Sequence, residues 1–310
     1  MSGRNNSFAD GIERDLETVR GLMLRSVAGG WIHADSLDVS AALSYGKMLR
    51  ARLALRMGPA TGTSPDVYLR AAAAIEMVHA ASLLHDDVID GGYLRRGSPA
   101  FWRKHGASGA ILMGDLLLCQ AGELLRETGD TRLTDELMSR TAEMCRAEVE
   151  QELVLRGSEP DWETSVSLAR RKTGSLFAFV AYASGVGHAG LSGPLREAGY
   201  LAGTAYQLSD DLLDAYGSDQ VAGKTLGSDS ERGKTTALTA RSGNPEALVQ
   251  CISNLRSSAA SHLADWPDAD EGWKTYWDED LLPAMKLNVC HIPWPKQPVS
   301  RPHSISATAS

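Results

Sequence analysis

Over residues 8–287 the apolar positions recur at helical spacing, and the period-two alternation of half-buried strands is almost absent. The chain therefore reads as helices joined by short connections carrying Gly, Pro or Ser. The stretch 64–90 shows the pattern best: Ser64 and Pro65 suit the N-cap and first helical position, an Ala/Leu/Ile/Val-rich run follows, and Gly91-Gly92 stops it. Further helices are predicted over 107–128, 132–155, 162–185 and 193–216, with no tandem repeat. The expectation is a large all-α single domain over residues 1–290. The final twenty residues hold Pro293, Pro295, Pro298 and Pro302, four of the 12 prolines, and a Ser/Thr/Ala-rich end, so 291–310 reads as a disordered tail.

Composition narrows the class without changing the fold reading. In 310 residues, a hydrophobic fraction of 43% and a charged fraction of 23% are those of an ordinary globular chain. A net charge of -8 argues against a general nucleic-acid binder, which needs basic patches to neutralise phosphates. Cys119, Cys145, Cys251 and Cys290 are scattered, without metal-ligand pairing, which fits a reducing cytoplasm. The N-terminal residues lack the apolar core of a secretory signal, and no run approaches the roughly 20 consecutive apolar residues of a membrane span. A soluble cytoplasmic protein is the expectation.

Two acidic motifs carry the chemistry. In His85-Asp86-Asp87-Val88-Ile89-Asp90, Asp86 and Asp90 stand one helical turn apart and share a face. In Gln207-Leu208-Ser209-Asp210-Asp211-Leu212-Leu213-Asp214, Asp210 and Asp214 repeat that spacing, with Gln207 on the same side. Both follow strongly apolar helix, where carboxylates are costly without a compensating cation. Hard oxygen ligands at this spacing suit Mg²⁺, which keeps several waters and completes its shell with substrate phosphates. Basic residues accompany them: Arg95-Arg96 directly after the first motif, Lys47 and Arg50 upstream at i,i+3 spacing, and Lys172, Lys224 and Lys234 around the second. Planar guanidinium forks and compact ammonium groups together suit capture of a diphosphate.

In this order along the chain, the segments resemble the trans-type isoprenyl diphosphate synthases, the polyprenyl synthetase family. GKMLR resembles that family's GGKRxRP segment, IEMVHAASLLHDDVIDGGYLRRG its first Asp-rich region, and AEVEQ its GExxQ element. RRKTGSLFAF resembles the KT segment, YQLSDDLLD the second Asp-rich region, and GKTLGSDSERGKTT the Lys-containing loop after it. The resemblance implies a helical bundle around a central cavity, a homodimer, and condensation of isopentenyl diphosphate with an allylic diphosphate aided by three Mg²⁺. It implies that Asp86, Asp90 and Asp210 ligate metal, supported by Asp87, Asp211 and Asp214. Lys47, Arg50, His79 and Arg96 would hold isopentenyl diphosphate, and Arg95, Lys172, Lys224 and Lys234 the allylic diphosphate. Thr173 and Gln207 would place oxygens near the developing allylic cation.

This chain departs from the family pattern at Tyr45, Met48 and Ala51, where Gly, Arg and Pro are usual, and at Ala147 in place of Gly. The segment 264–295, with Trp266, Trp273, Trp277 and Trp294, is unlike the usual basic C-terminal end. In the family, side chains before the first Asp-rich motif act as the floor for the growing chain. Here Ala81, Ser82 and Val78 are small, which implies a product of geranylgeranyl length or longer. Two rivals are a class I terpene cyclase, which usually carries an Asn/Asp-Ser/Thr-Glu triad as second motif, and a non-catalytic subunit of a heteromeric synthase, which typically loses these aspartates.

Overall fold

The computed structural model describes residues 2–29, 38–43, 45–158, 161–216 and 245–288, without the side chains of 2–10, 214–216 and 286–288. Helices dominate: α1 (Ser2–Ala28), α2 (Val39–Leu43), α3 (Leu49–Ala60), α4 (Pro65–Ile89), α5 (Phe101–Arg126), α6 (Thr131–Val149), α7 (Trp162–Ala169), α8 (Ser175–Ala183), α9 (Ser192–Tyr216), α10 (Pro245–Ser261), α11 (Pro267–Tyr276) and α12 (Leu282–Asn288). A two-residue hairpin, β1 (Leu94–Arg95) with β2 (Ser98–Pro99), joins α4 to α5. The tail 291–310 lies outside the described residues.

Helix α4 is the axis of the bundle, packed by α1, α3, α5 and α8. Ala71 to Ala74 are fully buried, and side chains this small let neighbouring backbones close in from several sides. Gly58 does the same for α3, since a Cβ there would lie 2.3 Å from the Tyr68 ring. By length and composition α4 and α5 are apolar enough to cross a bilayer. In α4 that apolarity is spent on the core, with Ile75, Met77 and Val78 buried.

Three segments wind as π-helix rather than α: Glu150–Val154 after α6, Arg170–Gly174 between α7 and α8, and Trp277–Leu281 between α11 and α12. A π turn adds one residue to a helix and re-aims its side chains. The 162–185 helix expected from periodicity is thus α7, a π turn and α8 in one run. The helix expected over 107–128 begins earlier, at Phe101, and breaks at Gly106, whose φ of 77° interrupts the winding. The described part of the Trp-rich C-terminal segment, to residue 288, belongs to the core: Trp273, Tyr276 and Trp277 are among the largest fully buried side chains, against α3, while Trp294 lies outside the described residues.

Candidate active site

A cavity of about 620 Å³ opens where the loop before α3, the C-terminal half of α4, the hairpin, the end of α6, the Arg170–Gly174 turn and α9 converge. Asp86 and Asp210 both line it, so the two acidic motifs face one space. Lys47, Arg50, Arg95, Arg96 and Lys172 line it as well, and Met144, Leu176 and Leu213 give it an apolar flank.

The α4 wall is shaped by the helix end. Asp90 is the C-cap of α4, its backbone N–H donating to the Asp86 carbonyl at 2.7 Å. One residue beyond Asp86 is about 100° round the helix, and Asp87 accordingly leaves the cavity lining. It is buried in a pair with Arg95, whose Nε lies 3.1 Å from Oδ1. Arg96 and Gly97 have φ of 52° and 76°, the signs of a type I′ turn, which suits a two-residue hairpin and usually carries Asn-Gly. The Arg96 guanidinium lies against Gly46, where a Cβ would stand 2.1 Å from its Nη2. Gly46 is therefore the floor on which Arg96 rests.

Lys47 and Arg50 do not share a helix face, as their spacing suggested. Met48 adopts a left-handed conformation (φ 48°) at the N-cap of α3, so Lys47 lies in the loop before the helix and Arg50 in its first turn. Arg50 is buried, its guanidinium 5.0 Å from the centre of the Phe177 ring and its Nε without a hydrogen-bond acceptor. Burial lowers the pKa of Arg50, and that of Lys47, where Asp210 opposes the shift. Glu76 is buried nearby and accepts the Ala51 N–H at 3.0 Å; burial raises its pKa while Arg50 opposes. His79 sits among these charges, held neutral far below its usual range by burial first and then by Arg50, Arg96 and Arg95.

On the opposite wall, the Arg170–Gly174 π turn presents Lys172 and Thr173 to the cavity. Glycines set the spacing: a Cβ at Gly203 would lie 2.6 Å from the Gly174 Cα and 3.0 Å from the Thr173 carbonyl oxygen. At that approach Thr173 Oγ1 donates to Gln207 Oε1 at 2.5 Å, and Gln207 Nε2 donates to Asp211 Oδ1 at 3.1 Å. Asp211 is buried, one residue round α9 from Asp210 and outside the lining. Lys172 donates to Glu148 (2.7 Å) and Gln151 (3.1 Å) at the end of α6.

Of the small residues before Asp86, Ser82 lines the cavity, but Ala81 and Val78 are fully buried away from it. They stand five and eight residues before Asp86, off the face that Asp86, Ser82 and His79 share. Ala80 takes their place on the wall. Asp214 falls in the last turn of α9, beyond the described side chains, and Lys224 and Lys234 lie outside the described residues. Glu148 and Gln151 belong to the AEVEQ segment and Tyr206 to YQLSDDLLD, both read as motifs from sequence, but neither they nor Glu76 carries a role in that reading. Glu76 had a readable signal, a lone acid within the apolar run Ile75–Leu84, three residues before His79.

An all-α fold whose two Asp-rich helix segments face one cation-lined cavity defines a diphosphate-handling enzyme of the isoprenoid type. The Polyprenyl synthetase family model matches residues 38–265, and the chain belongs to that family of trans-type isoprenyl diphosphate synthases, which are prenyltransferases. It is similar to geranylgeranyl diphosphate synthase of Mycobacterium tuberculosis, 32% identical over 269 residues, covering 82% of this chain and 71% of that one. It is also similar to octaprenyl diphosphate synthase of Escherichia coli, 27% identical over 234 residues, covering 73% and 67%. The chain spans between half and about two thirds of several further curated relatives. Among solved structures, polyprenyl synthase from Caulobacter crescentus, complexed with calcium and isoprenyl diphosphate, superposes with a TM-score of 0.73 at 27% identity, covering 85% of this chain and 94% of that one.

Proposed function

We propose that the protein condenses isopentenyl diphosphate with an allylic diphosphate, releasing inorganic diphosphate and an all-trans product of geranylgeranyl length or longer. The observation that carries this reading is the meeting of Asp86 and Asp210 with Lys47, Arg50, Arg96 and Lys172 around one cavity. Among the described residues no three acidic, His or Cys side chains converge closely enough to hold a metal alone. That donor set fits Mg²⁺, which takes one or two carboxylates and completes its shell with water and substrate phosphate. Asp86, Asp90 and Asp210 would hold it, in the number of three ions with both substrates present. When bound, Mg²⁺ supplies charge that offsets the departing diphosphate.

The chain's own residues then divide the work. Lys47, Arg50, His79 and Arg96 bind the isopentenyl diphosphate; the orphaned Nε of buried Arg50 is a donor awaiting an acceptor. Arg95 and Lys172 bind the allylic diphosphate, exchanging Asp87 and Glu148 for phosphate oxygens, and Lys224 and Lys234 are assigned to the same group. The allylic carbon–oxygen bond breaks with its electron pair leaving on diphosphate, the isopentenyl double bond attacks the cation, and loss of a proton restores a double bond. Thr173 and Gln207 lock each other's oxygens in the cavity, so their dipoles need no reorganisation as the cation forms. The small Ala80 and Ser82 on the wall support a long product.

A homodimer is part of the proposal: Ile111 and Leu112 on α5 are 43% and 68% exposed, an apolar face suited to a second copy. The test is to incubate the purified chain with isopentenyl diphosphate, Mg²⁺ and geranyl, farnesyl or geranylgeranyl diphosphate, and to size the dephosphorylated products. Linear alcohols of twenty carbons or more are expected. A cyclised hydrocarbon, or product only after a second protein is added, overturns the reading.

A further inference from the structure

The family model ends at residue 265, yet the segment beyond it reaches back to the loop that carries Lys47. Arg52 is the junction. Its Nε donates to the Lys47 carbonyl at 3.2 Å and its backbone N–H to the Met48 carbonyl at 2.9 Å, so it holds both peptide oxygens of the left-handed turn. Its guanidinium also reaches Asp280 Oδ1 at 3.3 Å and Glu13 on α1. Asp280 lies in the π turn after α11, its side chain 3% exposed, and its second oxygen accepts from Arg56 Nε at 2.8 Å. In the same segment Tyr276 donates its hydroxyl to the Leu49 carbonyl at 3.2 Å, and Ala284 offers its carbonyl to Lys47 Nζ at 3.3 Å.

A buried carboxylate held by two guanidinium groups is a costly way to join helices that Trp273 and Trp277 already join by packing. A left-handed turn at Met48, a residue with a Cβ, is likewise kept only where its surroundings over-determine it. The two features are one device. We propose that Asp280, acting through Arg52, is a positioning residue for the donor-substrate site: it fixes the Met48 turn and thereby the direction in which Lys47 enters the cavity. The proposal rests on the reading of Lys47 as a ligand of isopentenyl diphosphate. It gives the Trp-rich C-terminal segment a task in binding one of the two substrates and none in binding the other.

The test measures steady-state kinetics for both substrates in Arg52→Gln, Asp280→Asn, Lys47→Ala and the Arg52→Gln/Lys47→Ala double variant, with thermal melting as a folding control. Arg52 is a quarter exposed, so its variant keeps the test usable if Asp280→Asn does not fold. Arg52→Gln is expected to raise KM for isopentenyl diphosphate about tenfold while KM for the allylic substrate stays within about twofold. In the Lys47→Ala background the same change is expected to add less than about twofold, because residues acting through one another are non-additive. If Lys47→Ala raises the isopentenyl KM and Arg52→Gln does not, or if Arg52→Gln raises both KM values together, the positioning role is overturned. If Lys47→Ala itself leaves that KM unchanged, the donor-site reading falls, and the inference with it.

Discussion

Replacing Gly46 with alanine tests the donor site through geometry alone. The new Cβ would stand 2.1 Å from Nη2, 2.5 Å from Cζ and 2.9 Å from Nη1 of Arg96, well inside contact distance. The obstructed atoms are the far end of a flexible side chain on an exposed hairpin, so Arg96 swings aside and the backbone does not have to move. Gly46 has a negative-φ backbone that alanine can adopt, and the loop therefore survives. Stability is expected to change by less than about 1 kcal/mol, in the range of surface substitutions. Binding is expected to lose the displaced cation: hydrogen bonds to charged groups contribute about 1.5–3 kcal/mol, which corresponds to roughly a 10- to 150-fold rise in KM for isopentenyl diphosphate. The assay is initial rate against isopentenyl diphosphate at saturating allylic substrate, alongside Arg96→Ala, which removes the same cation without crowding. Both variants are expected to lose a similar factor, and the pair together little more. An isopentenyl KM within about twofold of the parent in Gly46→Ala, with a normal melt, would refute the placement of Arg96.

Gly203→Ala puts a Cβ against backbone atoms of Gly174 and Thr173, which cannot swing away; about 1–3 kcal/mol of stability should be lost, with a fall in kcat as the Thr173–Gln207 contact opens, checked by melting and single-turnover rates. His79 has a folded-state pKa depressed by burial and by Arg50, Arg96 and Arg95, so its contribution to stability is fully present above the unfolded pKa of about 6.5 and is lost as pH falls below it. Melting temperature followed from pH 8 downward should therefore drop below about pH 6.5 in the parent and drop less in His79→Gln. Ser82→Phe should shorten the product distribution because Ser82 lines the cavity; Ala81→Phe, at a fully buried position off that lining, should instead cost about 1–3 kcal/mol in a denaturant melt. Leu112→Glu should give a chain that elutes and scatters light as a monomer, since it places a charge on the exposed apolar face of α5.

The sequence carried the helices and the motif order well, because an Ala/Leu-rich 3.6 period and caps such as Ser64-Pro65 are local signals. It carried the shared cavity of Asp86 and Asp210 only through motif order, since no spacing rule places α4 against α9. What it missed is conformation that breaks the period. Lys47 and Arg50 have the spacing of one helix face, but the left-handed Met48 between them leaves Lys47 outside the helix. Thr173 and Lys172 owe their direction to a π turn that the RRKTG sequence does not announce. The pairing of Asp87 with Arg95 and of Lys172 with Glu148 and Gln151 depends on which elements meet in space. The burial of the Trp-rich end against α3 likewise needed tertiary structure, although Gly272 marks the contact: a Cβ there would lie 2.8 Å from the Ala60 methyl.

The π turn at Arg170–Gly174 holds one residue more than a regular helix of the same span would need. Deleting a single residue there would let α7 and α8 join as plain α-helix, a change that the backbone would tolerate and the melting curve would scarcely register. The side chains of the turn itself would nevertheless be re-aimed relative to α9. Lys172 would then leave Glu148, and Thr173 would leave Gln207. One residue at this point thus sets the aim of two cavity side chains, with the flanking helices and every aspartate still in place.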